Sequence, residues 1–171
     1  NERLVPNASS INIGPYGIFN YEKDNLGFNI GLRYDYKDLK SKDNTVNNNK
    51  IFDINYSESF TAPSFSSGVF CEFKEHIIRI SYSGAYRAPH FSELFSNGFH
   101  HGTNRYEIGD EDLLIENANQ IDLKYQWSNN HLGVVINPFI QHITNFISIS
   151  PTDSFSSVYR IYNYMQYELV Q

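Results

Sequence analysis

The sequence predicts an all-β protein built as an antiparallel, up-and-down sheet. Three observations carry that expectation. Several segments alternate apolar and polar residues with a period of two. Aromatics reach 16% of the 171 residues against a single methionine, so the apolar material favours rings, which suit strands. Short and long connections also alternate along the chain, as they do in a meander of hairpins. No long window places apolar residues at i, i+3 and i+4 better than alternation does, so no helix is expected.

The clearest element is LGFNIGLRYDY. Leu26, Phe28, Ile30, Leu32, Tyr34 and Tyr36 take one face, and Gly27, Asn29, Gly31, Arg33 and Asp35 the other. A helix would spread those apolar residues around its axis, whereas a strand gathers them on one side. PYGIFNYEKDN reads as the preceding strand, turned by the polar cluster from Glu22 to Asn25. In HIIRISYSGAYR, Ile78, Ile80, Tyr82, Gly84 and Tyr86 oppose Ile77, Arg79, Ser81, Ser83 and Ala85. In QIDLKYQWSNN, Ile121, Leu123, Tyr125 and Trp127 oppose Gln120, Asp122, Lys124 and Gln126. HLGVVINPFIQHITNFISIS is a long strand interrupted by Pro138, and VYRIYNYMQYEL a ring-rich last one; about seven strands are expected in all.

Connections after Tyr21, Phe73 and Trp127 are short, while those after Tyr36, Tyr86 and Ile149 are long and polar, KDLKSKDNTVNNN most of all. Tight turns at one end and elaborate loops at the other match a transmembrane barrel. A soluble barrel or sandwich binding a small ligand or a carbohydrate would alternate in the same way with its apolar side inward, and alternation alone leaves that choice open. The opposite face favours lipid. Arg33, Asp35, Arg79, Asp122 and Lys124 suit a wet lumen, and Tyr34, Tyr36, Tyr86, Tyr125 and Trp127 gather at strand ends, where interfacial girdles form. Mean hydropathy of −0.46 is compatible, because a spanning strand needs apolar residues only at alternate positions.

Composition excludes other classes. A formal charge of −6 without clustered Lys and Arg argues against a nucleic-acid partner. Cys71 is the sole cysteine, so no intrachain disulfide or thiolate cluster can form. No apolar run approaches the length of a spanning helix. NERLVPNASS shows no basic region followed by an apolar stretch, so a signal peptide is either absent or was removed well before this residue, which leaves a start within a longer protein open. No phosphate-cradling loop, nucleophile elbow or H-E-x-x-H pattern points to an enzyme or a resident cofactor.

The longest irregular stretch, RAPHFSELFSNGFHHGTNRYEIGDEDLLIE, joins two alternating segments. It resembles the C-terminal barrel of TonB-dependent outer-membrane receptors. There an R-A-P follows a strand, E-L-(Y/F)-S-N-G and R-Y-E-I-G-(N/D)-x-x-L follow in the loop, and a glutamate precedes the next strand. Arg87, Ala88 and Pro89, then Glu93, Leu94, Phe95, Ser96, Asn97 and Gly98, then Arg105 to Gly109, Leu113 and Glu116 stand in that order. Ile115 departs from the pattern, which usually has proline before the glutamate.

The resemblance implies an antiparallel up-and-down transmembrane β-barrel, with residues 1–171 an incomplete section of about seven strands from a 22-stranded barrel. The plug domain, the TonB box and the remaining strands are expected outside this sequence. It implies a Gram-negative outer-membrane location, with lipid around the barrel and the TonB complex reached through the plug. The implied activity is uptake of an extracellular metal, a metal chelate such as a siderophore, or haem, with no bond in the cargo made or broken. A non-energised porin-like or adhesin barrel is the competing membrane reading.

Candidate ligand contacts are Asn97, His100, His101, Arg105, Tyr106 and Glu107, with His100 or His101 as a possible metal ligand. Adjacent residues of an extended strand point opposite ways, so at most one of the two histidines would face a given ligand unless the backbone turns at Gly98 or Gly102. The plain alternative is a pair of solvated loop histidines. Arg87, Ala88, Pro89, Glu93, Leu94, Gly98 and Gly109 are expected to be structural. Pro89 lacks an N–H and so ends a ladder. Glu107, Asp110, Glu111, Asp112 and Glu116 read as a solvated acidic run.

Overall fold

A computed structural model describes residues 4–42, 44–46, 49–52 and 55–170. The first three residues, Gln171, and Asp43, Asn47 and Asn48 of the polar connection lie outside the described residues, as do positions 53 and 54. The strands are β1 (Asn7–Ile13), β2 (Tyr16–Lys23), β3 (Leu26–Lys42), β4 (Asn44–Val46), β5 (Asn49–Phe52), β6 (Ser57–Phe73) and β7 (His76–Arg87), then β8 (Asn97–His100), β9 (Arg105–Ile108), β10 (Glu116–Ser128), β11 (Gly133–Ile136), β12 (Phe139–Ser156) and β13 (Tyr159–Val170). A five-residue helix, α1 (Phe91–Phe95), interrupts the long loop. Alternation could not foretell it, because so short a helix carries no periodicity.

Two of the strands are halves of one ribbon. β1 and β2 both pair antiparallel with β3, parted at Gly14 and Pro15, and the Pro15 carbonyl still accepts from the Tyr34 amide at 3.0 Å. β11 and β12 likewise share β10, parted at Asn137 and Pro138, whose carbonyl accepts from the Leu123 amide at 3.0 Å. Proline removes a donor but keeps its acceptor, so the ladder bends without ending. Among the described residues this leaves seven consecutive ribbons, β1/β2, β3, β6, β7, β10, β11/β12 and β13, each antiparallel to the next. The sheet is an open barrel section with β1/β2 at one edge; at the other, the last ribbon β13 carries only the short strands β9 and β8 beyond it.

Tight turns carry Asp24 and Lys74 at positive φ, the backbone that two-residue hairpins need. The connection after Ile149, expected to be long, is instead short. β12 runs on to Ser156 through a register shift between Pro151 and Phe155, then turns at Ser157, whose φ is 57°. Pro151 and the polar residues after it hid this extension, since they break alternation without breaking the strand. The polar connection after Tyr36 is also partly strand: β3 continues to Lys42 and β4 and β5 form a separate hairpin.

One face of the sheet is bare and apolar. Leu26, Ile30, Leu32, Val69, Ile80, Leu123 and Ile140 are 43–76% exposed on it, and no second layer covers them among the described residues. A soluble sandwich or closed barrel would have packed these side chains against each other; here they present a broad apolar surface of the kind a bilayer solvates. The band also slants across the sheet. In the registered row Leu32, Phe65, Gly84, Asn119, His142, apolar residues on β3 and β6 give way to polar ones on β10 and β12. Strands tilted by about 35–45° move a level band by roughly one residue per strand, which produces this drift. The other face is polar and small, with rows Asn29, Gly68, Ser81, Asp122 and Gly31, Ser66, Ser83, Gln120.

Candidate ligand-binding loop

The polar face changes character at its loop end. Leu39 and Phe60, on the same face as Gly31 and Ser66, are buried together with Ile147 of β12. The residues that bury them come from the long loop: Leu94 and Phe95 of α1, and Leu113. Tyr56, Ala88, Phe91, Ile115 and Tyr164 pack around this cluster, the Tyr56 and Phe95 rings meeting edge-on at 4.7 Å. The loop therefore folds back over the lumenal face.

Arg87 anchors the fold-back. Its guanidinium donates to both oxygens of Glu93, at 2.9 and 3.1 Å, and to both oxygens of Glu116, at 3.2 and 3.4 Å. One cation thus ties the end of β7 to α1 and to the start of β10. Glu93 also accepts from the His90 amide at 2.6 Å, closing a capping box in which the His90 ring accepts from the Ser92 amide. Glu116 accepts from the Ile147 amide at 3.0 Å. Pro89 is fully buried, and its carbonyl accepts from the Lys37 ammonium at 2.7 Å. Gly109 lies against α1: a Cβ there would come within 2.5 Å of the Leu94 backbone. Its amide donates to the Ser96 carbonyl at 2.7 Å and the Asp110 amide to the Glu93 carbonyl at 2.9 Å. On the far side, the Gln166 side chain donates to the Leu114 carbonyl and accepts from the Leu114 amide, and Asn145 donates to the Ile115 carbonyl. Ile115 fills the place of the usual proline by packing on the cluster.

Above this base stands the hairpin β8–β9, which contains the six candidate contacts. β9 pairs in parallel with β13 over three residues, Tyr106 to Ile108 beside Ile161 to Asn163. Its centre is Glu107, whose side chain is 2% exposed. Oε1 accepts from Arg105 Nε at 2.7 Å and contacts His100 Nδ1 at 2.8 Å, Thr103 donates to it at 3.3 Å, and Oε2 accepts from the Tyr164 hydroxyl at 3.3 Å. Burial pushes such a carboxyl up, but the bonds from Arg105 and His100 outweigh it and hold Glu107 below the ordinary glutamate value. Arg105 also lies over the Tyr162 ring.

The two histidines are set apart. His100 turns to Glu107, while exposed His101 sits edge-on to Phe99, itself 4.1 Å from the Tyr159 ring. Tyr106 donates to Asn97 at 2.9 Å. Gly98 is buried, opposite Glu107 in the β8–β9 register. No group of three His, Cys, Asp or Glu side chains that could enclose a metal occurs among the described residues. The acidic run is not one solvated patch: Glu107 and Glu116 are ion-paired and largely buried, and Asp110 caps the Asp112 amide. Sequence reasoning missed Tyr164 and Thr103. Thr103 was within reach as a polar residue between the two arms of a hairpin; Tyr164 comes from a distant strand and left no local signal.

The family model for "TonB dependent receptor-like, beta-barrel" matches residues 3–167. No curated protein matches by sequence. Among solved structures the chain is similar to the copper transporter OprC, with a TM-score of 0.76 and 19% identity over 93% of this chain and 24% of that one. It is similar to the Serratia marcescens hemophore receptor HasR, solved as a double mutant with its hemophore HasA and heme, with a TM-score of 0.76 and 15% identity over 95% of this chain and 30% of that one. The siderophore receptor PirA from Pseudomonas aeruginosa follows with a TM-score of 0.54 and 10% identity over 95% of this chain and 38% of that one. At these identities the likeness is one of fold, and the chain spans well under half the length of each of these proteins.

Proposed function

Because the chain belongs to the TonB-dependent receptor β-barrel family, we propose that it forms part of the barrel wall and capture surface of an outer-membrane receptor that imports a metal, a metal chelate such as a siderophore, or haem. The observation that carries this reading is the family match over a sheet whose exposed face carries a broad apolar band. The wall contributes a lipid-facing exterior and a polar lining, and the β8–β9 hairpin contributes imidazole, guanidinium, amide and phenol groups at the extracellular mouth. Copper, heme and siderophore stand in the names of the structural neighbours, and an imidazole on this hairpin is a suitable donor for such cargo. The plug domain and the segment that meets TonB are assigned to sequence beyond residues 1–171. TonB-delivered energy then drives release into the periplasm, with no covalent change in the cargo.

The test uses the intact receptor in a Gram-negative host lacking other high-affinity uptake. Cells are challenged with haem, Cu(II) or a ferric hydroxamate chelate, each with and without TonB. Accumulation of one of the three, dependent on both receptor and TonB, is the expected result. Replacing His100 and His101 together with alanine should lower that uptake at least tenfold. Uptake of none of the three, or recovery of the receptor only in the soluble fraction, would sink the reading.

A further inference from the structure

We infer that the loop between β7 and β10 is divided into a fixed shelf, residues 88–96 and 109–116, and a movable hairpin, residues 97–108, so that any cargo-driven motion of this loop is confined to the hairpin. The inference rests on the uptake reading for its function, but its physical basis is independent of the cargo. The shelf is held as a domain core is held. Leu94, Phe95 and Leu113 are buried against Leu39, Phe60 and Ile147 from three separate strands. Arg87 binds two carboxylates at once, Lys37 holds the Pro89 carbonyl, and Gln166 and Asn145 hold Leu114 and Ile115. Moving it would expose that apolar cluster and strand two acidic side chains without their cation, changes that close-packed interiors resist.

The hairpin is held quite differently. It is tied to the rest of the molecule through a three-residue parallel ladder, the Asn97 amide donating to the Leu4 carbonyl at 2.9 Å, the Tyr164 bond to Glu107, and stacking of Phe99 on Tyr159 and Arg105 on Tyr162. No residue of it belongs to the buried apolar cluster. The seam is also incompletely satisfied. Asn163 Oδ1, beside Ile108 on β13, is buried without a hydrogen-bond donor, the single such side-chain atom among the described residues. Few apolar contacts and an unsatisfied acceptor mark a segment of low local stability, next to one of high stability. The joints between them are Ser96 to Asn97 and Ile108 to Gly109. At the second, the Gly109 amide remains bound to the Ser96 carbonyl, which keeps both joints side by side as a hinge base.

The experiment is a pair of reversible locks in the intact receptor carrying Cys71→Ser. The shelf lock joins exposed Leu114→Cys to Gln166→Cys, whose native side chain meets the Leu114 backbone at 2.8 and 3.0 Å; the hairpin lock joins Phe99→Cys to Tyr159→Cys, whose rings lie 4.1 Å apart. Each pair is bridged with a short thiol-cleavable crosslinker, and uptake of haem, Cu(II) and a ferric hydroxamate is measured before bridging, after it and after cleavage. The shelf lock should leave uptake within twofold, and the hairpin lock should reduce it at least tenfold, restored on cleavage. A shelf lock that blocks uptake, failure of the shelf pair to bridge, or two harmless locks would each overturn the division. If the unbridged receptor imports none of the three probes, the uptake reading fails instead. Hydrogen exchange then decides the division alone: the Ser96, Gly109 and Asp110 amides should exchange at least a hundredfold more slowly than those of β8, and equal rates would overturn it.

Discussion

The two ends of the same strands obey different rules. At the turn end, connections such as Asp24–Asn25 are two residues long, and the lumenal face carries Asn29, Gly68, Ser81 and Asp122. At the loop end the same face carries Leu39, Phe60 and Ile147, because 28 residues of loop return to cover them. A face of a strand is not polar or apolar by its position in a barrel; it matches whatever lies over it. In the upper part that is the molecule's own helix.

The sharpest way to break this comparison is to empty the cover. Leu94→Ala should cost about 4 kcal/mol locally, since Leu39, Phe60 and Ile147 in its cluster stand on laddered strands that cannot collapse into the gap. Amides of residues 91–96 should then exchange rapidly while those of β6 and β7 stay protected. Unchanged exchange in α1 would show that the apolar cluster does not hold the loop.

The second test concerns the outer and lumenal faces. Ile80 and Ser81 are neighbours on β7 that point to opposite sides. Ile80→Arg should destabilise the intact barrel in bilayers by about 3 kcal/mol, as arginine does on the lipid face near the midplane. Ser81→Arg should change stability by less than about 0.5 kcal/mol. Denaturant unfolding in lipid vesicles gives both values, and equal penalties would remove the assignment of faces.

Within the cover itself, Gly109→Ala adds one carbon against the Leu94 backbone. Overpacking of this kind costs about 2 kcal/mol, and here backbone rather than a flexible side chain must give way. The same exchange measurement on α1 reads it, with a Gly102→Ala control whose new carbon would meet only the His100 ring at 3.7 Å.

What could be read from the sequence follows the same division. The alternation in β3, β7 and β10 was legible because each face keeps one polarity over many residues, and the seven ribbons followed from it. Pro138 was read correctly as a break within a strand, whereas Pro15 does the same work between β1 and β2 without alternation strong enough to mark it. The shelf was illegible: nothing local in Leu39 or Phe60 says that Leu94, more than thirty residues on, will lie over them. The motif residues Arg87 and Glu93 were expected to be structural, and Glu116 to precede a strand. That one guanidinium joins both carboxylates depends on the start of β10 pairing with the end of β7, which is a tertiary fact. Among the ligand candidates, the Arg-x-Glu spacing of Arg105 and Glu107 was a usable hint, since i and i+2 share a face of a strand.

The smallest expected effect is the dependence of the hairpin on pH, and it separates hairpin from shelf. Glu107 is held below the ordinary glutamate value because Arg105 and His100 outweigh its burial. A carboxylate depressed in the folded state contributes its full stabilisation above its unfolded value near 4.5, and loses it as pH falls through the lower folded value. The hairpin should therefore be insensitive between pH 8 and pH 6 as far as Glu107 is concerned, and loosen in the acid range below about 4.5. Protonation breaks the ion pair with Arg105 and leaves a buried neutral acid with fewer partners. Hydrogen exchange of residues 105–108, corrected for intrinsic rates, should rise relative to residues 91–96 on acidification. Glu107→Gln should show the loosened level at neutral pH with no further acid step of its own. An acid step that persists unchanged in Glu107→Gln would move the origin of the response to another group and detach this carboxylate from the hairpin's stability.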